Sequence, residues 1–152
     1  MKYLILGMVF WSFSSMADDH EEFNPILFML DLSVHEVKQE QAEAFSHEIA
    51  KNVLNLEPGT LIYEYYFDTG NRAFLYEVYK SDQYAIEHVE NFRGSKWEER
   101  FGEVFSIINF SVLGNSSEAL KKSLEGYTTD FRTLEGGFHK PAENLKEKIL
   151  NL

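Results

Sequence analysis

The sequence contains no cysteine. This absence excludes disulfide bonds, thiolate nucleophiles and cysteine-ligated zinc or iron–sulfur centres. Paired metal ligands are also lacking, because the five histidines show no ligand spacing and none lies in an HExxH motif. The chain has no internal repeat and no low-complexity segment. The five histidines are His20, His35, His47, His88 and His139.

Basic residues are scarce. The chain carries 14 lysines and arginines against 25 aspartates and glutamates, which gives a formal net charge of −11. A field of that sign repels phosphate, so nucleic acids and anionic membrane surfaces are poor partners for this chain. No basic stripe offsets the repulsion. We therefore exclude nucleic-acid binding.

Apolar and aromatic residues are abundant. Of 152 residues, 44% are hydrophobic and 15% aromatic, including 13 phenylalanines and 8 tyrosines. The length suits one domain with a single core. Because each ring buries a large area, this content indicates a core or a pocket lined with aromatic side chains.

The N-terminus has the pattern of a secretory signal peptide. Lys2 precedes the apolar run 3–11, and Ser15 and Ala17 place small residues at the positions that a cut after Ala17 requires. The run is roughly half the length of a membrane-spanning helix. We expect residues 1–17 to be a cleaved leader and the protein to be exported, periplasmic or secreted. A buried first strand and an uncleaved anchor are the alternatives.

Hydrophobic periodicity divides the remainder into alternating strands and helices. Strand patterns cover 25–34, 60–67, 72–79 and 107–113, and helical patterns cover 35–54, 83–92, 96–105 and 118–124. The helix over 35–54 has Val37, Phe45, Ile49, Val53 and Leu54 among its apolar positions. The segment 128–138 fits either a last strand or an irregular closing segment. Residues 141–152 form a charged tail with a helical pattern.

The order β-α-β-β-α-(α)-β predicts an α+β fold. It is the order of a ferredoxin-like antiparallel sheet with helices on one face. The strand over 60–67 is apolar on both of its faces, since Leu61, Tyr63 and Tyr65 alternate with Ile62 and Tyr66. A second copy packed against the uncovered face would bury it. We therefore expect a homodimer formed through the open sheet face.

Three segments in order carry a family resemblance. They are the run from Glu57-Pro58-Gly59 to Asp68, the strand and helix start from Leu75 to Asp82, and the following His88. In these segments the chain resembles the antibiotic biosynthesis monooxygenase (ABM)-like family, whose members include quinol monooxygenases. The resemblance covers 24–140 and implies a dimeric α+β barrel. It also implies a monooxygenase that needs no cofactor and combines a small quinol- or phenol-like aromatic substrate with O2.

The hairpin turn at 68–71 suggests which residues share the pocket. Pairing of Tyr63 with Glu77 and of Tyr65 with Leu75 would place all four on one sheet face. A slip of one residue would present Glu64, Tyr66 and Tyr76 instead.

The resemblance implies a site in this region. We expect His88 and Glu77 to be the catalytic pair, because an imidazole beside a carboxylate can act as a general base near neutral pH. Tyr63, Tyr65, Trp97 and Phe101 would bind or enclose the substrate.

Less specific interpretations of these residues stay open. His88 could be a half-buried helix residue with an ordinary hydrogen bond. Glu77 could be structural and paired with Arg72 or with a backbone group, and the tyrosines could be core or interface rings. The whole chain could be a non-catalytic binding or structural protein on the same scaffold. Haem degradation on a related scaffold uses Asn, Trp and His. Asn91, Trp97 and His88 are present, but here the His precedes the Trp, which departs from that pattern.

Overall fold

The computed structural model of the chain describes residues 24–138. The leader predicted over 1–17 and the charged tail predicted over 141–152 therefore lie outside the described residues. Among the residues described, no helix combines the length and the apolar character needed to cross a membrane.

Nine elements follow one another within residues 24–138, in the order predicted from the hydrophobic pattern. The first helix starts four residues later than predicted, and the fourth strand starts two residues earlier. The elements are β1 (Ile26–Val34), α1 (Gln39–Leu56), β2 (Thr60–Phe67), β3 (Arg72–Tyr79), α2 (Asp82–Phe92), α3 (Lys96–Val104), β4 (Phe105–Leu113), α4 (Glu118–Ser123) and β5 (Asp130–Arg132).

The strands form one five-stranded sheet in the order β2-β3-β1-β4-β5. The four longer strands are antiparallel to their neighbours, and the short β5 lies parallel to β4. With the helices on one face, this is the ferredoxin-like α+β arrangement, which confirms the predicted fold class. The sheet is open and does not close into a barrel within the chain.

The core lies between the sheet and its helices. Every second residue of β1, from Ile26 to Val34, is buried on the helix side, as side-chain alternation in a strand requires. Helix α1 contributes Phe45, Ile49 and Val53 to the same core.

Two residues assigned to the apolar side of the first helix are not buried there. Val37 precedes the helix in a left-handed conformation, with φ of 57°, and is 98% exposed. Leu54 is helical but 80% exposed. The assignment of both residues to the apolar side of the helix is therefore wrong, because periodicity could not show where the helix begins or which side of it meets the sheet.

The opposite face of the sheet has no covering element among the described residues. The strand register brings Met29 of β1, Phe74 and Tyr76 of β3 and Tyr66 of β2 onto this face. The side chains of these four residues are partly or largely exposed. An apolar sheet face of this kind is unusual for a monomer.

The turn Glu57-Pro58-Gly59 joins α1 to β2. Gly59 packs so closely on α2 that a Cβ there would lie 1.9 Å from ring atoms of Tyr84. Its carbonyl accepts a 2.8 Å hydrogen bond from the amide of Lys80. Pro58 prevents α1 from continuing. The turn therefore holds Glu57 against the inner side of α2.

A segment after β4 closes the domain near α2. The guanidinium of Arg93 donates hydrogen bonds to the carbonyls of Ser123 (2.7 Å) and Glu125 (3.1 Å). It also lies 4.4 Å from the ring centre of Tyr127. These contacts fix Tyr127 beside the space between α2 and α3.

Candidate active site

A cavity of about 380 Å³ lies between the sheet and its helices. Its size falls in the range of small-molecule pockets. The sheet supplies its floor, α2 and α3 supply two walls, and the segment after α4 supplies a third. The lining residues are Phe28, Leu30, Tyr63, Leu75, Glu77, His88, Val89, Phe92, Glu98, Phe101, Gly102, Phe105, Ser106, Ile107, Phe110, Leu124 and Tyr127.

The hairpin has the register predicted from its turn. Tyr63 pairs with Glu77 and Tyr65 with Leu75, so these four residues share the helix side of the sheet. Glu64 and Tyr66 lie on the other face, where the Tyr66 hydroxyl donates a 2.5 Å hydrogen bond to Glu64. The alternative register, with Glu64 and Tyr66 at the pocket, is therefore wrong.

His88 projects from α2 into the cavity and is 7% exposed. Its Nδ1 lies 2.8 Å from Oε2 of Glu57, and it must donate this bond because a carboxylate only accepts. Its Nε2 lies 3.9 Å from Oε1 of Glu77. The tautomer is thus set by Glu57, and Nε2 is left for the cavity.

Glu57 is the site residue that sequence reasoning missed. It is 7% exposed, and it accepts hydrogen bonds from the Thr60 hydroxyl (3.1 Å) and the Asn91 amide (3.4 Å) besides that from His88. Its place in the Glu57-Pro58-Gly59 turn was visible in the sequence. Its partner, 31 residues away, was not.

Glu77 is 3% exposed and reaches the cavity from β3. The Tyr79 hydroxyl donates a 2.6 Å hydrogen bond to its Oε2. Arg72 does not pair with it: the Arg72 guanidinium lies 3.8 Å from the carboxylate of Asp31, and the Arg72 amide donates a 3.0 Å hydrogen bond to Asp68. The structural role considered for Glu77 as a partner of Arg72 is therefore wrong.

Burial and mutual charge shift the pKa values of this cluster. Burial would raise the pKa of Glu57, but the hydrogen bond and charge of His88 outweigh it and lower the pKa. Burial raises the pKa of Glu77 despite His88 and Tyr79. Burial would lower the pKa of His88, yet the charges of Glu77 and Glu57 raise it. Two carboxyl groups and one imidazole therefore share protons in a buried site.

Tyr63 stands beside the imidazole. Its ring centre lies 5.7 Å from that of His88, and burial raises its pKa well above the ordinary value of 10.0. The phenol thus stays protonated and can donate a hydrogen bond. Tyr65 does not line the cavity. Its hydroxyl lies 3.5 Å from that of Tyr63, and its ring stacks on Phe105 at 5.7 Å.

Phe101 and Trp97, which were both predicted to enclose the substrate from the third helix, have different surroundings. Phe101 lines the cavity. Trp97 does not, because it packs on Phe45 of α1 at 6.1 Å between ring centres. The cations of Lys96 and Arg100 lie over the Trp97 ring. Trp97 therefore belongs to the contact between α1 and α3.

The similarity of this chain to known proteins was found by comparing structures. The sequence matches no protein-family model and no curated protein. The structure is similar to MupZ from Pseudomonas fluorescens, with a TM-score of 0.68 and 25% identity over 78% of this chain and 96% of that one. It is also similar to a candidate antibiotic biosynthesis monooxygenase from Nitrosomonas europaea, with a TM-score of 0.51 and 18% identity over 62% and 90%.

The chain has the ABM-like fold. The fold implied by the resemblance in the hairpin and in the helix that carries His88 is thereby confirmed. The domain places its imidazole and carboxylates where the strands meet α2.

The outer wall of the cavity contains a hydrogen-bonded pair that the sequence did not reveal. The Tyr127 hydroxyl donates to Glu98, and both side chains line the cavity. Gly102 of α3 also lines the cavity and leaves open space, since a Cβ there would meet no atom within 4 Å. Only packing of the segment after α4 brings Tyr127 to this wall.

Over residues 24–138, no group of three or more His, Cys, Asp or Glu side chains is arranged to hold a metal ion. Asn91, considered with Trp97 and His88 for haem, instead donates to Glu57. These three side chains do not meet at the cavity, since neither Asn91 nor Trp97 lines it.

Proposed function

We propose that the chain is a cofactor-independent monooxygenase that acts on a small quinol- or phenol-like substrate. The observation that carries the proposal is the orientation of His88. Glu57 binds its Nδ1, so Nε2 faces an apolar cavity beside Glu77. A base held in one tautomer in an enclosed site is what deprotonation of a phenol requires.

The first step is proton transfer. A substrate hydroxyl within reach of Nε2 gives its proton to His88, and Glu57 stabilises the imidazolium that forms. Tyr63 keeps its proton and can donate a hydrogen bond to the substrate oxygen. The substrate anion is then electron-rich enough to react with O2 directly.

The second step draws its electrons from the substrate. One oxygen atom of O2 becomes bonded to the ring, and the other leaves as water. A hydroquinone would end as a hydroxyquinone, so no external reductant is needed. The chain contributes the base, the hydrogen-bond donor and an apolar enclosure that limits side reactions with water.

The walls of the cavity suit a planar aromatic ligand. Phe92, Phe101 and Phe110 line it together with Tyr63. Rings prefer edge-to-face and offset contacts with other rings, and the volume of about 380 Å³ leaves room for a single-ring substrate and O2.

Oxygen consumption tests the proposal. We expect the wild-type chain to consume O2 with a panel of hydroquinones and catechols. We expect His88→Gln to lower kcat by about 10²- to 10⁴-fold, the usual contribution of a general base. The matched control is His47→Gln, because His47 is exposed on α1, and its rate should equal that of the wild type.

A second outcome would identify a binding protein. If the quinols bind without O2 consumption, and His88→Ala leaves their affinity unchanged, the chain is a non-catalytic binder on the ABM-like scaffold. The buried contact between His88 and Glu57 would then be structural. Melting curves of each variant separate this result from unfolding.

We further propose that residues 1–17 direct export and are removed, that 24–140 form the functional domain, and that the mature protein is periplasmic or secreted. The basis is the single charge at Lys2, the apolar run and the small residues before the cut after Ala17. Mass spectrometry of the protein from its native host should give an N-terminus at Asp18.

A further inference from the structure

His88 and Glu77 face each other, and a hydrogen bond to a third residue holds each side chain in place. His88 Nδ1 is held by Glu57, and Glu77 Oε2 is held by the Tyr79 hydroxyl. The two remaining atoms, Nε2 and Oε1, are 3.9 Å apart. Within residues 24–138 neither has a hydrogen-bond partner, and both side chains line the cavity. The gap is too long for a hydrogen bond, but a ligand could contact both atoms at once.

We propose that this pair also catalyses an O2-independent reaction, the keto–enol tautomerisation of small neutral apolar ketones and enones. His88 would act as the base at carbon, and Glu77 would act as the acid at the carbonyl oxygen. The inference rests on the proposed function only in placing the ligand in this cavity. It does not depend on any reaction with O2.

The proton balance closes without an oxidant. Nε2 of His88 takes the proton from the carbon next to the carbonyl, while Oε1 of Glu77 gives its proton to the carbonyl oxygen. The enol is then bound between an imidazolium and a carboxylate. The imidazolium returns a proton to carbon, at the same or a conjugated position, and the carboxylate regains the enol proton.

The surroundings favour a neutral ligand. Hydrogen bonds from His88, Thr60 and Asn91 stabilise the negative charge of Glu57. His88 and Glu77 together are neutral whether their shared proton is on Nε2 or on the carboxyl group, so the site as a whole carries net negative charge. A carboxylate or phosphate ligand would be repelled there and would have no cationic partner, because the lining residues include no lysine or arginine. The Tyr79 hydroxyl at Oε2 leaves Oε1 as the oxygen that can carry the transferable proton.

Deuterium exchange without oxygen tests the proposal. The probe is 2-tetralone, a neutral bicyclic ketone with acidic protons next to its carbonyl, and the medium is D2O under argon. We expect the wild-type chain to accelerate exchange by at least about 10²-fold over buffer. We also expect the first deuteron at a given carbon to enter much faster than the second, because a bound ketone presents one face to His88, whereas buffer removes either proton of that carbon.

Variants assign the roles. His88→Gln should reduce exchange to the buffer rate, and Glu77→Gln should lower it at least about 10-fold, while His47→Gln should leave it unchanged. Exchange at the buffer rate with the folded wild-type chain would overturn the proposal, as would equal acceleration by folded His88→Gln. O2 consumption by quinols without exchange would retain the monooxygenase and reject this activity. Exchange without O2 consumption would do the reverse.

Discussion

Glu57 sets the tautomer of His88 and contributes to its raised pKa. It accepts a hydrogen bond from Nδ1 at 2.8 Å, and the charges of Glu77 and Glu57 together outweigh burial and raise the pKa of His88 above the ordinary value of 6.5. The neutral form of His88, which acts as the base, is therefore populated only as the pH rises through that raised pKa. In a plot of activity against pH, the rise in activity should therefore be centred above pH 6.5.

Replacing Glu57 by Gln tests this dependence. The amide keeps the shape but removes the charge, so the pKa of His88 should fall and the rising limb of activity should move to lower pH. At pH values well above the pKa of His88 in both the wild type and the variant, we expect the variant to have the lower kcat, because its imidazolium is less stabilised. NMR titration of the imidazole measures the pKa directly.

Glu64→Gln is the matched control for this change. Glu64 lies on the opposite sheet face, bonded to Tyr66, so the titration of His88 should not move. An unchanged pKa of His88 in Glu57→Gln would show that Glu57 is not the group that positions and charges the imidazole.

Helix α3 determines how much space the cavity offers. Gly102 lines the cavity, and a Cβ there would meet nothing within 4 Å. Glycine in a helix costs roughly 0.5–1 kcal/mol relative to alanine. We expect Gly102→Ala to raise the melting temperature slightly, and Gly102→Phe to weaken quinol binding at least about 10-fold by filling the cavity.

Titration calorimetry with a bound quinol measures this effect. Glu103→Phe, on the neighbouring exposed position of α3, adds the same ring outside the cavity and should leave the dissociation constant unchanged. Equal affinities for all three variants would mean that the ligand binds elsewhere on the chain.

At the scale of the whole molecule, the uncovered sheet face predicts a homodimer. Phe74, Tyr76 and Met29 share this face, and packing two such faces would bury apolar surface that a monomer leaves in water. We expect light scattering after size exclusion to give twice the mass of the mature chain. Phe74→Glu should give a folded monomer, because like charges would meet across the two-fold axis.

Leu54→Glu is the control for the dimer. Leu54 is 80% exposed on α1, on the helix side of the sheet, so a charge there should leave the mass unchanged. A wild-type monomer at micromolar concentration would contradict the dimer and would leave the open face for another partner.

Several features of the fold could be predicted from local sequence alone. The turn at 68–71 between two aromatic strands set the pairing of Tyr63 with Glu77, because a short hairpin loop leaves little freedom of register. The order of the elements defined the ferredoxin-like topology for the same reason: short connections allow few arrangements. The acidic balance and the absence of cysteine were equally independent of any structure.

Tertiary structure alone decided which polar groups meet. Glu57 and His88 are 31 residues apart, and no periodicity relates the turn after α1 to the inner side of α2. Trp97 and Phe101 share one helix, yet only Phe101 reaches the cavity, because Trp97 packs on Phe45 of α1. Local pattern thus determined the elements and the pairing of neighbouring strands, while long-range packing determined the proton-transfer site.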